Sequence, residues 1–206
     1  MKLKALAAAV VLAFSASNAD AVTLNLGGDG SNSGASTITL DFLGVSDGII
    51  FSAFNNGNAS GFSELTNGIG VNGAAEGSRI GLGEAISVSF SQAVFDLFPA
   101  IRITSAVFIE AGPEDETFQI GLNEDLIDVS VDGEGNDPKE INEAFPISVL
   151  TSTTDTFNIV GTLDDVGNRS IRLNSITAAV PLPAPALLLI SGLVGLGFAA
   201  RRRAKA

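Results

Sequence analysis

Cysteine, histidine, tryptophan and tyrosine are all missing from this chain of 206 residues. Each absence removes a kind of chemistry. Without Cys there is no disulfide framework, so an exported domain must stand on its own apolar core. Without His the commonest general base, the usual zinc ligand and the base of an ordinary Ser triad are gone. Without Trp or Tyr the amphipathic rings that most often carry a sugar platform are gone too, and 13 Phe supply every aromatic ring. Positive charge is scarce: 11 Lys and Arg stand against 23 Asp and Glu, a net charge of −12. Phosphate binding needs clustered Lys and Arg, so no nucleic acid is expected as a partner.

What basic charge there is lies mostly at the two ends. Lys2 and Lys4 precede an uncharged apolar stretch of 10 residues, Ala5 to Phe14, too short to span a membrane. Ser15 to Asp20 is more polar, and Ala19-Asp20-Ala21 has the A-x-A form of a cleavage site. Residues 1–21 therefore read as a secretory signal helix, cut after Ala21 or after Ala19, which implies the secretory translocon and signal peptidase as partners. At the other end, Ala184 to Ala200 is a run of 17 residues without charge. That is the lower limit for a helix crossing roughly 30 Å of hydrocarbon. A buried core helix would carry a polar face, and this run carries none. Arg201, Arg202 and Arg203 follow as a basic stop, which keeps the terminus cytoplasmic and the body on the far side of the membrane.

Directly before that run stand Val180, Pro181, Leu182, Pro183 and Ala184. Motif, short span and basic end in this order resemble the VPLPA variant of the PEP-CTERM protein-sorting signal, found in Gram-negative bacteria and often beside exopolysaccharide gene clusters. All five motif positions match, although tail and motif cover only about an eighth of the chain. The resemblance implies that residues 181–206 are a sorting tail and a temporary inner-membrane anchor. It also implies processing by an exosortase-like membrane protease or transpeptidase, and a mature product at the cell surface or in the extracellular matrix, with exopolysaccharide as a partner.

Between the ends, residues 22–180 hold five basic against 22 acidic residues, a net charge of −17. This body reads as strands. Glu84 to Ser91 alternates cleanly, with Ile86, Val88 and Phe90 on one side and Ser87, Ser89 and Ser91 on the other. Ile101, Ile103, Ser105, Val107 and Ile109 are expected to share one face of the next strand, opposite Arg102 and Thr104. Further strands are expected at 22–26, 36–43, 48–54, 116–122, 126–131, 145–150, 156–162 and 170–178, and one helical turn over Gln92 to Phe98. Gly27 to Gly34 and Asn55 to Gly61 read as loops. Many short strands with Gly-rich turns predict an all-β fold, an antiparallel β-sandwich or jelly-roll-like body. The segment Gly68-Ile69-Gly70-Val71-Asn72-Gly73, followed by Glu84 and the strand ending at Phe90, resembles the central part of PEP-CTERM passenger domains, which are β-sandwiches of largely unassigned function.

Candidate sites are acidic. Read as a twelve-residue calcium loop, the segment 132–143 places oxygen ligands at Asp132, Glu134, Asn136, Glu140 and Glu143. Asp137 stands where the sharp turn wants Gly, Pro138 and Lys139 depart from the pattern, and no flanking helices are evident. A solvated acidic loop is the alternative. Glu110 to Glu116 and Asp164 to Asn168 are further acidic segments with the same two readings. Calcium is the one cofactor any of these residues suit. A sugar platform would have to use Phe, with Phe51, Phe54 and Phe62 as candidates, though core packing also explains them. A glycosidase-type pair would join Glu84 to Asp96 or Glu110; acids are so abundant that no pair stands out, and no enzyme is expected. The reading is an exported surface or matrix component sorted by its tail. The alternative is a calcium-dependent module that binds polysaccharide.

Overall fold

The computed structural model describes residues 20–28, 30, 33–72, 80–110, 116–131, 138–141, 148–162 and 171–180. Both expected terminal helices, at 1–21 and 181–206, lie outside these residues apart from the first residues of one strand. Among the described residues no helix is long and apolar enough to cross a membrane.

Alternation of apolar and polar residues explains most of the strands, because successive side chains in a strand point to opposite faces. In chain order they are β1 (Asp20–Asn25), β2 (Thr37–Phe42), β3 (Val45–Asn55), β4 (Asn58–Ala59), β5 (Gly61–Leu65), β6 (Gly68–Asn72) and β7 (Glu84–Phe90). After helix α1 (Gln92–Leu97) come β8 (Ile101–Glu110), β9 (Glu116–Leu122), β10 (Asp125–Val131), β11 (Pro138–Ile141), β12 (Ser148–Leu150), β13 (Phe157–Gly161) and β14 (Ile171–Val180). They form two sheets of seven strands each among the described residues. The first runs β11-β8-β14-β6-β5, with β1 beside β14 and β12 beside β8. The second runs β10-β9-β13-β7-β3-β2, with β4 beside β3. The ladders with a defined register are antiparallel. The expected antiparallel all-β architecture is what the chain adopts.

The core lies between the sheets. From the second sheet, Ile49, Phe51, Ile86, Val88, Phe118, Ile120, Phe157 and Ile159 point inward and are buried. From the first come Phe62, Val71, Ile101, Ile103, Phe108 and Leu173. Phe108 and Phe118 meet across the two layers with ring centroids 4.6 Å apart. Fully burying one such side chain is worth roughly 1.5–3 kcal/mol, so this apolar interior does the work that disulfides cannot. Helix α1 closes one end. Its Val94 is buried against Gly48, where an added Cβ would lie 3.0 Å from Val94 Cγ2.

Three kinds of expectation need correction. Asn55 to Gly61 is not a loop but a hairpin: β3 turns at Asn56 and Gly57, both with positive φ (48° and 76°), into β4. Two central residues in that region make the type I′ turn whose twist matches paired strands, and Asn-Gly is its favoured sequence. Strands β5, β6 and β11 were not foreseen. Their alternate glycines (Gly68, Gly70) or charges (Lys139, Glu140) hide the period-2 pattern, and pairing with β6, β5 or β8 supplies what the sequence does not. Finally, Val107 does not share the core face of β8. Val107 is half-buried while Ala106 and Phe108 are fully buried. The register against β14 shifts between Leu173 and Ser175 and again between Thr177 and Ala178. Each extra residue in a bulge reverses which neighbours point inward.

Candidate functional site

Val180, the first residue of the expected sorting motif, is the last described residue of β14. Pro181, Leu182, Pro183, Ala184 and the three arginines lie outside the described residues. So do Asp132, Glu134, Asn136 and Glu143 of the calcium reading. Glu140 lies in β11, where its backbone pairs with Val107. Among the described residues no group of three or more acidic side chains is placed to hold a metal ion.

The strands nevertheless relate the acidic segments to one another. Val131 pairs with Glu116, Pro138 with Ile109, and Ile171 with Glu110; Ile80 bridges Ile171 and Leu82 bridges Gly161. The described residues that flank 111–115, 132–137 and 163–170 therefore lie at the same end of the paired strands. Three segments far apart in sequence have neighbouring flanks.

That end also holds Glu84. Its carboxylate is 2% exposed. Oε2 accepts the Gly81 N–H at 2.9 Å, and Oε1 faces Asn55 Nδ2 at 3.4 Å. These contacts pin the approach to β7 and give the buried carboxylate the partners it requires. Asp96 lies on α1, beyond the far end of β7. Six strand steps alone separate them by about 20 Å, well over the ~5–9.5 Å that paired glycosidase carboxylates need. At the helix end a second polar knot forms. Asp155 accepts the Thr151 and Ser152 N–H groups (2.8 and 3.1 Å) and faces Asn123 Nδ2 at 3.4 Å. The Thr151 backbone bond, with Asn123 and the Thr151 hydroxyl, holds this carboxyl below its ordinary value against a smaller opposing effect of burial.

The three Phe candidates separate. Phe51 and Phe62 are fully buried in the core. Phe54 is half-buried on the outer face of β3. Register places its neighbours in rows across four strands. One row runs Phe54, Ala85, Val160, Gln119; the next runs Ser52, Ser87, Asn158, Gly121. Ile50 beside Ser89 begins a third. Ser87 Oγ donates to Asn158 Oδ1 at 2.5 Å, and Asn158 Nδ2 donates to the Asn123 carbonyl at 2.7 Å, which fixes this amide. Gln119 donates to Asp128 on β10 at 2.9 Å. Among the described residues, Ser52 and Ser89 hydroxyls have no protein partner. No charged side chain lies on the outward positions of β3, β7, β13 or β9 in these rows.

The chain matches no protein family and no curated protein. Two solved structures are similar to it at low level. A GH26-CBM35 β-(1,4)-mannanase of Podospora anserina is 19% identical over 80% of this chain and 28% of its own, with a TM-score of 0.40. An exo-β-1,3-galactanase of Phanerochaete chrysosporium with galactose is 14% identical over 78% and 29%, with a TM-score of 0.35. This chain thus spans less than a third of either protein's length. Similarity at this level carries no argument about the present chain.

The outer face was only half visible in the sequence. Ser87 and Ser89 announce a wet face on β7, but Ser91, expected beside them, lies past the strand with its Oγ buried, and nothing local says that Asn158 and Phe54, from strands on either side, share the face.

Proposed function

We propose that this is an exported surface or extracellular-matrix protein, held at the inner membrane by its tail until an exosortase-like enzyme processes it. One observation carries this reading: the five residues Val180 to Ala184, followed by an uncharged run and three arginines. The test is cell fractionation of an exosortase-bearing Gram-negative host expressing the full chain. Replacing Pro181 and Pro183 together by Ala should leave the chain in the inner membrane, while the parent reaches the surface or medium. Equal distribution of the two would defeat the reading.

Calcium-dependent binding is the second reading, favoured by the neighbouring flanks of the three acidic segments. Clustered carboxylates repel unless solvated or bridged by a cation. Calcium should then raise the melting temperature of the full chain relative to chelator, and an unchanged melt would end this reading.

A further inference from the structure

We propose that the outer face of the second sheet, centred on Phe54, binds an uncharged polysaccharide. The inference goes beyond the sorting reading and does not depend on it. It rests on a combination: one partly exposed ring set among hydroxyls and amides, on rows that carry no charge across β3, β7, β13 and β9 and meet a carboxylate, Asp128, only at β10.

Each part of that combination has a chemical consequence. A sugar ring has an apolar C–H face and a rim of hydroxyls. Phe54 offers the apolar surface, and Ala85 beside it is too small to stand over the ring. Ser52, Ser87 and Asn158 form the adjacent row. Neighbouring strands lie about 4.8 Å apart and alternate residues about 6.8 Å apart, a grid of donors and acceptors on the scale of one sugar unit. Asn158 donates to the Asn123 carbonyl and Thr156 Oγ1 and accepts from Ser87, so both side chains are fixed in place and offer their remaining acceptor lone pairs to a sugar hydroxyl. Ser52 and Ser89 keep hydroxyls free of protein partners among the described residues.

Charge decides the class of occupant. A polyanion would meet no Lys or Arg in these rows and would be repelled by the surrounding acidity. A protein partner would want an apolar centre of several large side chains, and here Phe54, Ile50 and Val160 are separated by small or polar residues. A neutral polyhydroxylated chain fits both the apolar spot and the polar grid.

The test is affinity electrophoresis of the full chain in nonionic detergent. The gels contain hydroxyethylcellulose, galactomannan or, as the anionic comparison, alginate. Retardation is expected in at least one neutral gel and to survive added salt, because no ion pair is involved. Phe54→Ala should weaken it about tenfold or more. Ser52→Asp, a substitution on the wet face that leaves the ring in place, should weaken it too, which keeps the test valid if the Phe54 variant does not fold. Leu97→Ala, on the exposed side of α1, should run like the parent, and circular dichroism checks that each variant is folded. Migration unaltered by both neutral polysaccharides, retardation by alginate alone, or retardation unchanged in folded Phe54→Ala and Ser52→Asp would overturn the proposal.

Discussion

In β7 every second residue is buried: Glu84, Ile86, Val88 and Phe90 point in, and Ala85, Ser87 and Ser89 point out. In β14 seven of ten positions are buried, including Ser175. The two strands belong to different sheets of one sandwich, yet only the first follows the rule that one sheet face is dry and the other wet. The second departs from it because bulges reset the phase of β8 and β14, so that polar Ser105 and Ser175 are carried inside with the apolar residues. Regular alternation leaves the inner strands of the second sheet with uncharged outward positions in the rows of Phe54 and Ser52, while Asp41, Asp47 and Asp128 stand toward its margins.

The largest effect should come where the sheets meet. Phe108→Ala should cost about 3–5 kcal/mol in urea unfolding, and Phe118→Ala from the opposite sheet a similar amount. Because the rings touch, the double variant should lose less than the sum by at least ~0.5 kcal/mol; strict additivity would show that the layers are not coupled through this pair. The contrast between the sheets is sharpened by one matched pair of substitutions. Ser175→Asp buries an unpaired charge and should cost about 3 kcal/mol or more. Ser89→Asp sits on the wet face and should stay within about 0.5 kcal/mol. Similar losses at both positions would break the comparison.

The smallest effect concerns pH. Asp155 is held below its ordinary value, chiefly by the Thr151 N–H. A depressed carboxyl contributes stability that is complete above its unfolded value of 3.8 and is lost as pH falls through the lower folded value. Asp155→Asn should therefore be slightly less stable at neutral pH, by under about 1 kcal/mol. That gap should close in acid below pH 3.8. A gap that widens in acid would show that the carboxylate is not what holds this turn.

Much of the fold was legible. The bounds of β9 and the first residue of β7 agree with the alternation, and the helical turn at Gln92 was found. The Asn56-Gly57 signature was present too, but a run of Asn, Gly and Ser around it looked like a loop and hid the hairpin. β11 begins with Pro138 and carries Lys139 and Glu140. Such a strand makes sense only at a sheet edge, where a missing N–H and a charge are tolerated, and edges do not exist until the sheet does. Of the candidate site residues, Phe51 and Phe54 show the limit most clearly. Period 2 says that they face opposite sides of β3, but not which side is the core.

The sequence by itself determined the all-β class and the absence of Cys, His, Trp and Tyr chemistry, and it raised the expectation of two terminal signals, because each depends on composition or on residues close together in the chain. Only the tertiary structure decided that Phe54, rather than Phe51 or Phe62, reaches water, and that Ser52, Ser87 and Asn158 stand in one row beside it. It also decided that the flanks of three acidic segments lie at one end of the paired strands. The reason is physical: the pleat fixes how neighbours in one strand are oriented relative to each other, but strand pairing, with its bulges, fixes which face is buried and which distant residues become neighbours.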